Sequence, residues 1–316
     1  MGRFLRGILL LIIMFGISFA NLIQQNGLDN QEVIDSAKSA NDKVIIDAKE
    51  HSGDSITDFE FLEYKNPSLL QSLVERFSIH DETYLLPIYY AIEPLPTPVG
   101  AGNKSYNRFE SKFQVSFKLL VSRNLFYNIG LYFAYTQKTF FQVYSPKFSS
   151  PFRDSDFMPE LVLYKPLNIK FLSGELYNIR FGYSHTSNGE GIDYIGFIKS
   201  RGIDRIFSEF MYKIDDFKLA LKIWIFSRSD PAAIKRYMGY SSLKLNYDLH
   251  DHNFMLNVSN LVHNYLKYKG NFKLEYRYDL FDRVGLYAQY FYGYGDNLYQ
   301  YNIKSQHVGF GVAIAH

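Results

Sequence analysis

The stretch Tyr183-Ser184-His185-Thr186-Ser187-Asn188-Gly189-Glu190-Gly191 follows Asn178-Ile179-Arg180-Phe181-Gly182 in a chain of 316 residues, and how this junction is read decides the fold. In a strand, residues two apart share a face. Phe181, Tyr183, His185 and Ser187 then stand in one row, with Arg180, Gly182 and Ser184 opposite. His185 and Ser187 are neighbours about 7 Å apart along the backbone, so their side chains can lean together as a nucleophile and its general base must. Asn188-Gly189 ends the strand with the pair most tolerant of positive φ. The other members of the row are aromatic. In a soluble sheet this row is core; in a membrane barrel it faces lipid.

Composition narrows the choice. The chain is 47% hydrophobic and 18% aromatic, with 27 Tyr and 28 Phe, as suits a sheet with one apolar face. A net charge of +2 gives no case for a nucleic-acid partner. There is no cysteine, hence no disulfide and no thiolate metal site. Arg3 and Arg6 precede an apolar run that ends at Ser18-Phe19-Ala20, which predicts a signal peptide over 1–20, cut after Ala20. No later apolar run reaches about 18 residues, the length of a spanning helix, so an exported chain that enters a membrane must do so as a barrel.

Residues 21–80 are polar and weakly helical, and read as an N-terminal extension. Residues 81–316 read as the barrel. There the pattern has period 2: Phe113, Val115, Phe117 and Leu119 interleave with Gln114, Ser116 and Lys118, and Phe272, Leu274, Tyr276 and Tyr278 with Lys273, Glu275 and Arg277. About twelve strands result, near 83–92, 108–121, 125–138, 158–165, 175–187, 203–213, 217–227, 239–249, 253–262, 271–279, 284–295 and 306–315. Asp215-Asp216, Asp251-His252 and Phe281-Asp282-Arg283 read as tight turns, whereas 143–157, 188–202 and 227–238 read as longer loops. Short turns at one end and long loops at the other are the habit of outer-membrane barrels. The opposite face carries Lys118, Arg205, Glu209, Lys222, Lys244, Glu275 and Arg277, which a barrel interior must pair. The expected class is all-β, a twelve-stranded antiparallel transmembrane barrel; the rival is a secreted β-sandwich.

Several blocks, in order, carry a family resemblance: Tyr135-Thr136-Gln137-Lys138, Ser149-Ser150-Pro151-Phe152-Arg153, His185-Thr186-Ser187-Asn188-Gly189, Ser200-Arg201 with Arg205, Lys235-Arg236-Tyr237-Met238-Gly239-Tyr240, and Tyr292-Gly293-Tyr294-Gly295-Asp296-Asn297-Leu298. Across residues 84–315 the chain resembles outer-membrane phospholipase A. The resemblance implies a bacterial outer-membrane barrel that hydrolyses acyl esters of membrane phospholipids with calcium, acts as a homodimer, and carries its active site on the lipid-facing wall.

It further implies His185 as base and Ser187 as nucleophile. The family's third member is an asparagine, and the position matching it is Asp204. This departure keeps a carboxylate on the imidazole, as in a Ser-His-Asp arrangement; Asn188 and Asp193 are the substitutes. For calcium, the implied ligands are the carbonyl of Glu190, the hydroxyl of Ser200 and, from a partner chain, the carbonyl of Ser149, in a loop longer than the family's. Gln137 shares a row with Phe133 and Tyr135 and is implied at the dimer contact. The rivals are a barrel of the lipid A deacylase type, with fewer strands, and a non-enzymatic channel with a decayed site. His316 departs from the aromatic residue on which such barrels usually end.

Overall fold

The computed structural model describes residues 76–96, 105–145, 152–191, 199–261, 268–281 and 283–314. The expected signal peptide, residues 21–75 of the extension, and Ser149, Asp193 and His316 lie outside the described residues.

Alternation in sequence becomes alternation in the wall. Among the described residues thirteen strands form one sheet: β1 (Phe77–Ser78), β2 (Tyr84–Ala91), β3 (Phe109–Phe126), β4 (Ile129–Phe141), β5 (Phe152–Phe171), β6 (Gly174–Ser187), β7 (Gly202–Ile214), β8 (Phe217–Asp230), β9 (Ser241–Leu249), β10 (His252–Ser259), β11 (Asn271–Phe281), β12 (Val284–Gly293) and β13 (Ser305–Ile314). Neighbours are antiparallel, and β13 pairs with β2, which pairs with β3, which pairs with β4, so the sheet closes. Closure leaves no unpaired edge in hydrocarbon, where backbone amides have only one another. β1 and β2 both pair with β3, β1 at Phe77↔Leu119 and β2 at Tyr84↔Gln114, so they are two pieces of one stave and the barrel has twelve. Phe77 and Ser78 fall in the stretch read as extension.

Between the two pieces the chain turns inward. His80 Nε2 meets Glu160 Oε2 on β5 at 3.2 Å, Asp81 Oδ1 takes Lys244 Nζ of β9 at 2.6 Å, and Glu82 Oε2 takes Arg277 Nη1 of β11 at 3.1 Å. Nearer the loop end, Arg153 binds both oxygens of Glu110, at 2.6 and 2.9 Å. The charged face predicted from the sequence is thus the lumen, filled with paired and hydrogen-bonded groups, as burial of charge demands.

The outer wall is apolar: Leu161, Phe181, Ile225, Leu286 and Phe310 are each more than half exposed on it. Tyr127-Asn128, Leu172-Ser173, Asp215-Asp216 and His250-Asp251 are tight turns at one end; the stretches of chain between strands at the other, 92–108, 142–151, 188–201, 231–240, 260–270 and 294–304, are longer. The connection 231–240 carries a short 3-10 turn (Ala232–Ile234) and α1 (Lys235–Met238).

Most boundaries fall within about three residues of expectation, and two differ by more. The first turn falls at Tyr127-Asn128 rather than near 122–124, because both residues adopt left-handed φ (48° and 60°) without a glycine to announce it. β5 begins at Phe152, not 158, and runs on to Phe171. Its start is hidden by Asp154 and Asp156, which look like loop residues but face inward, where they accept the backbone N–H groups of Tyr299 and Leu298 at 2.7 and 3.0 Å.

Candidate active site

The loop end of β6 repeats the parity read from its sequence. Phe181 and Tyr183 are exposed, His185 and Ser187 half-buried, while Gly182, Ser184 and Thr186 are buried toward the lumen. Gly182 is required: a Cβ there would lie 2.7 Å from the Phe207 ring and from the Leu161 carbonyl. His185 and Ser187 therefore occupy the lipid-facing wall, one above the other.

The neighbouring strand supplies the third group. β7 pairs with β6 so that Asp204 lies directly opposite His185, and Ile206, Ser208 and Phe210 continue the same outward row. The imidazole Nδ1 is 2.5 Å from Asp204 Oδ1. Asp204 is nearly buried although it faces outward, and Tyr183 is in electrostatic contact with it. Of the alternatives for this position, Asn188 is engaged elsewhere.

Asn188 is 3% exposed and ties the base of the loop together. Its Oδ1 accepts the N–H of Arg201 at 2.9 Å and of Glu190 at 3.5 Å, its Nδ2 donates to the Lys199 carbonyl at 3.0 Å, and its own N–H donates to the Arg201 carbonyl at 3.2 Å. Gly189 has φ 64°, the left-handed value a glycine accepts freely. This clamp is a role the sequence did not reveal, although an Asn at a strand end carries both the donor and the acceptor for it.

The clamp draws Glu190 and Ser200 to the two ends of one short span. Neither the Glu190 carbonyl nor the Ser200 hydroxyl is engaged by another described residue; the Ser200 carbonyl accepts from Arg201 Nη1 at 2.7 Å. These are free, hard oxygen donors of the kind calcium takes. Among the described residues no group of three or more His, Asp or Glu side chains gathers as a metal site.

Gln137 sits half-buried on the outer row, on the rung Ser187↔Phe157↔Gln137. Its amide is not orphaned: Tyr135 OH donates to Oε1 at 3.3 Å and Nε2 donates to Thr139 Oγ1 at 3.2 Å.

A family model described as Phospholipase A1 matches residues 65–314. A Neisseria meningitidis protein described as a putative phospholipase A1 is 27% identical over 305 residues, 91% of this chain and 78% of its own. A structure of outer membrane phospholipase A from Escherichia coli, described as an active-site mutant with an asparagine changed to alanine, superposes with a TM-score of 0.68 at 29% identity, covering 76% of this chain and 91% of that one. A Salmonella typhi outer membrane phospholipase, described as a dimer with bound calcium, superposes with a TM-score of 0.67 at 28% identity, covering 76% and 92%.

Proposed function

The chain belongs to the phospholipase A1 family and is an outer-membrane β-barrel phospholipase; from that premise we propose that it opens the acyl esters at both glycerol positions, and those of lysophospholipids, by a Ser187-His185-Asp204 acyl-enzyme route that needs calcium and a second copy of the chain. The observation that carries this reading is the 2.5 Å contact of His185 with Asp204 on the same outer face as Ser187.

Asp204 accepts the Nδ1–H of His185 and leaves Nε2 as the base. His185 takes the Ser187 proton as the hydroxyl oxygen attacks the ester carbonyl, then returns it to the departing alcohol. Water, deprotonated by the same imidazole, releases the fatty acid from Ser187. Because the Asn188 N–H is already given to Arg201, the Gly189 N–H is the neighbouring donor free to hold the oxyanion. Phe181, Tyr183, Ile206 and Ile225, all exposed below the site, offer the acyl chain an apolar floor.

The calcium would be held by the Glu190 carbonyl, the Ser200 hydroxyl and the carbonyl of Ser149 of the partner subunit, and would polarise the ester oxygen as a Lewis acid. Gln137, two strands along the rung from Ser187, would lie at the dimer contact, so that dimerisation completes the site and activates the enzyme. A channel reading has against it the ion pairs of His80, Asp81 and Glu82 across the lumen.

The test is phospholipid hydrolysis in neutral detergent, with calcium or with a chelator. Cleavage is expected from the parent only with calcium, and from Ser187→Ala under neither condition at an unchanged melting temperature. Cleavage retained by Ser187→Ala overturns the assignment.

A further inference from the structure

A bulge in β8 re-aims one arginine. β7 and β8 pair without interruption from Ile214↔Phe217 to Arg205↔Phe226, but Asp204 then pairs with Arg228, so Ser227 is an extra residue. Before the bulge Ile223 and Ile225 face out and Trp224 and Phe226 face in. Unbulged, Arg228 would join Trp224 and Phe226 in the lumen. One inserted residue reverses the parity of the strand beyond it, and Arg228 emerges on the lipid-facing wall, on the rung His185↔Asp204↔Arg228.

Arg228 is exposed and makes no hydrogen bond or ion pair among the described residues. The carboxylate opposite it, Asp204, is taken by His185, and Asp230, two residues on, does not pair with it either. Arg205, by contrast, faces the lumen, where its Nη2 donates to Thr186 Oγ1 at 3.1 Å and its guanidinium lies 5.3 Å from the Trp224 ring centroid, while its Nε has no partner among the described residues. Tyr183, on the same outward face, feels the charges of both Asp204 and Arg228.

Height favours an anionic partner. The rung through Ser187, the last residue of β6, sinks through Phe157 and Gln137 to Val115 in mid-β3, so rungs climb toward the loop end in the direction of β8. With strands about 4.8 Å apart and tilted by about 40°, two strands climb about 6 Å, which lifts Arg228 to the level of Ser187 or above. A guanidinium costs most at the bilayer midplane and little at the interface, where phosphates lie.

We propose that Arg228 is a phosphate anchor of the active site: its guanidinium binds the phosphodiester of the lipid whose acyl ester meets Ser187, and so favours phospholipids over uncharged glycerides. This rests on the phospholipase reading. The planar fork matches a phosphate bidentately, which lysine cannot reproduce, and the carboxylate that could have competed with the phosphate is occupied by the imidazole.

The test separates this proposal from the reading it rests on. Binding of hexadecylphosphocholine and of hexadecylglycerol to the full-length Ser187→Ala protein, in neutral detergent with calcium, is compared by calorimetry with Ser187→Ala/Arg228→Gln and Ser187→Ala/Arg228→Lys. Arg228→Gln should weaken the phosphorylated ligand about tenfold more than the uncharged one, with Arg228→Lys in between. In turnover by the Ser187 form, the preference for phospholipid over diacylglycerol should fall about tenfold through KM rather than kcat. Equal losses for both ligands, or a kcat loss alone, would make Arg228 a support for Asp204 and overturn the proposal. So would a defect seen only in membranes containing lipopolysaccharide, which assigns the arginine to surrounding lipid. If the parent cleaves no ester, the phospholipase reading fails while the binding arm still decides the anchor.

Discussion

Asp204 stands directly across the β6–β7 ladder from His185, with its Oδ1 2.5 Å from the imidazole Nδ1. A carboxylate there orients the ring and stabilises the imidazolium, whereas an amide oxygen supplies orientation alone. The Escherichia coli relative is described as an active-site mutant in which an asparagine is changed to alanine, which places an asparagine in that protein's active site. Asp204→Asn should therefore keep kcat on phospholipid within about tenfold, while Asp204→Ala should lose about a hundredfold to a thousandfold, the scale of a general base left unpositioned. Rates in detergent, with melting temperatures as a folding control, decide it. Full activity in Asp204→Ala would remove the residue from the site.

Asn188 acts on the loop rather than on the ester. Its side chain joins Glu190, Lys199 and Arg201, and so fixes the spacing of the two proposed oxygen ligands. Asn188→Ala leaves three part-buried backbone groups without that partner, at about 1 kcal/mol of destabilisation. It should raise the calcium concentration for half-maximal activity about tenfold while preserving most of the rate at saturation. Calcium titrations of activity measure this; an unchanged midpoint would detach the clamp from ion binding.

Much of this was legible from period 2 alone. The row Phe181-Tyr183-His185-Ser187 predicted an outward site because strand parity is local and rigid, and it holds in the barrel. Asp204 was found only through the blocks around it, since its pairing with His185 depends on register across a long loop. Register also hid Arg228: one extra residue, Ser227, reverses the parity of the end of β8, and nothing in Ile225-Phe226-Ser227-Arg228 announces a bulge. The inward turn at His80, Asp81 and Glu82 was invisible for a related reason. Its charges are answered by β5, β9 and β11, far away in sequence, and locally the segment reads as a polar linker.

Gln137 tests the dimer. Tyr135 and Thr139 already satisfy its amide within one chain, at 3.3 and 3.2 Å, so a monomer can hold it at the wall without leaving an unpaired polar group in lipid. Its contribution to association is then the difference between these bonds and those to a second copy, about 1 kcal/mol. Gln137→Ala should weaken dimerisation about fivefold, and activity should recover as protein concentration in the micelle rises. Crosslinking and rate against protein-to-detergent ratio report both. Activity that falls without any change in dimer population would exclude the contact.

Asp296, in the connection after β12, is the acidic centre of the upper lumen. It receives Lys112 Nζ at 2.9 Å and Tyr89 OH at 2.7 Å, and its backbone carbonyl receives Lys138 Nζ at 2.5 Å. Burial would raise its carboxyl, but Lys112, His307 and Lys138 together outweigh burial and hold it well below the usual carboxylate range. A carboxyl depressed by folding binds fewer protons folded than unfolded, so the stability it contributes is complete above the ordinary value of about 3.9 and is lost as pH falls through the lower folded value. Melting temperatures in detergent should accordingly fall between about pH 5 and pH 2. Asp296→Asn leaves Lys112 buried without its charge partner, a loss of about 3–5 kcal/mol at neutral pH. Having already lost the titrating group, this variant should lose less than the parent over the same acid range. If its melting curve instead runs parallel to the parent's at every pH, Asp296 is not the group through which acid loosens the barrel.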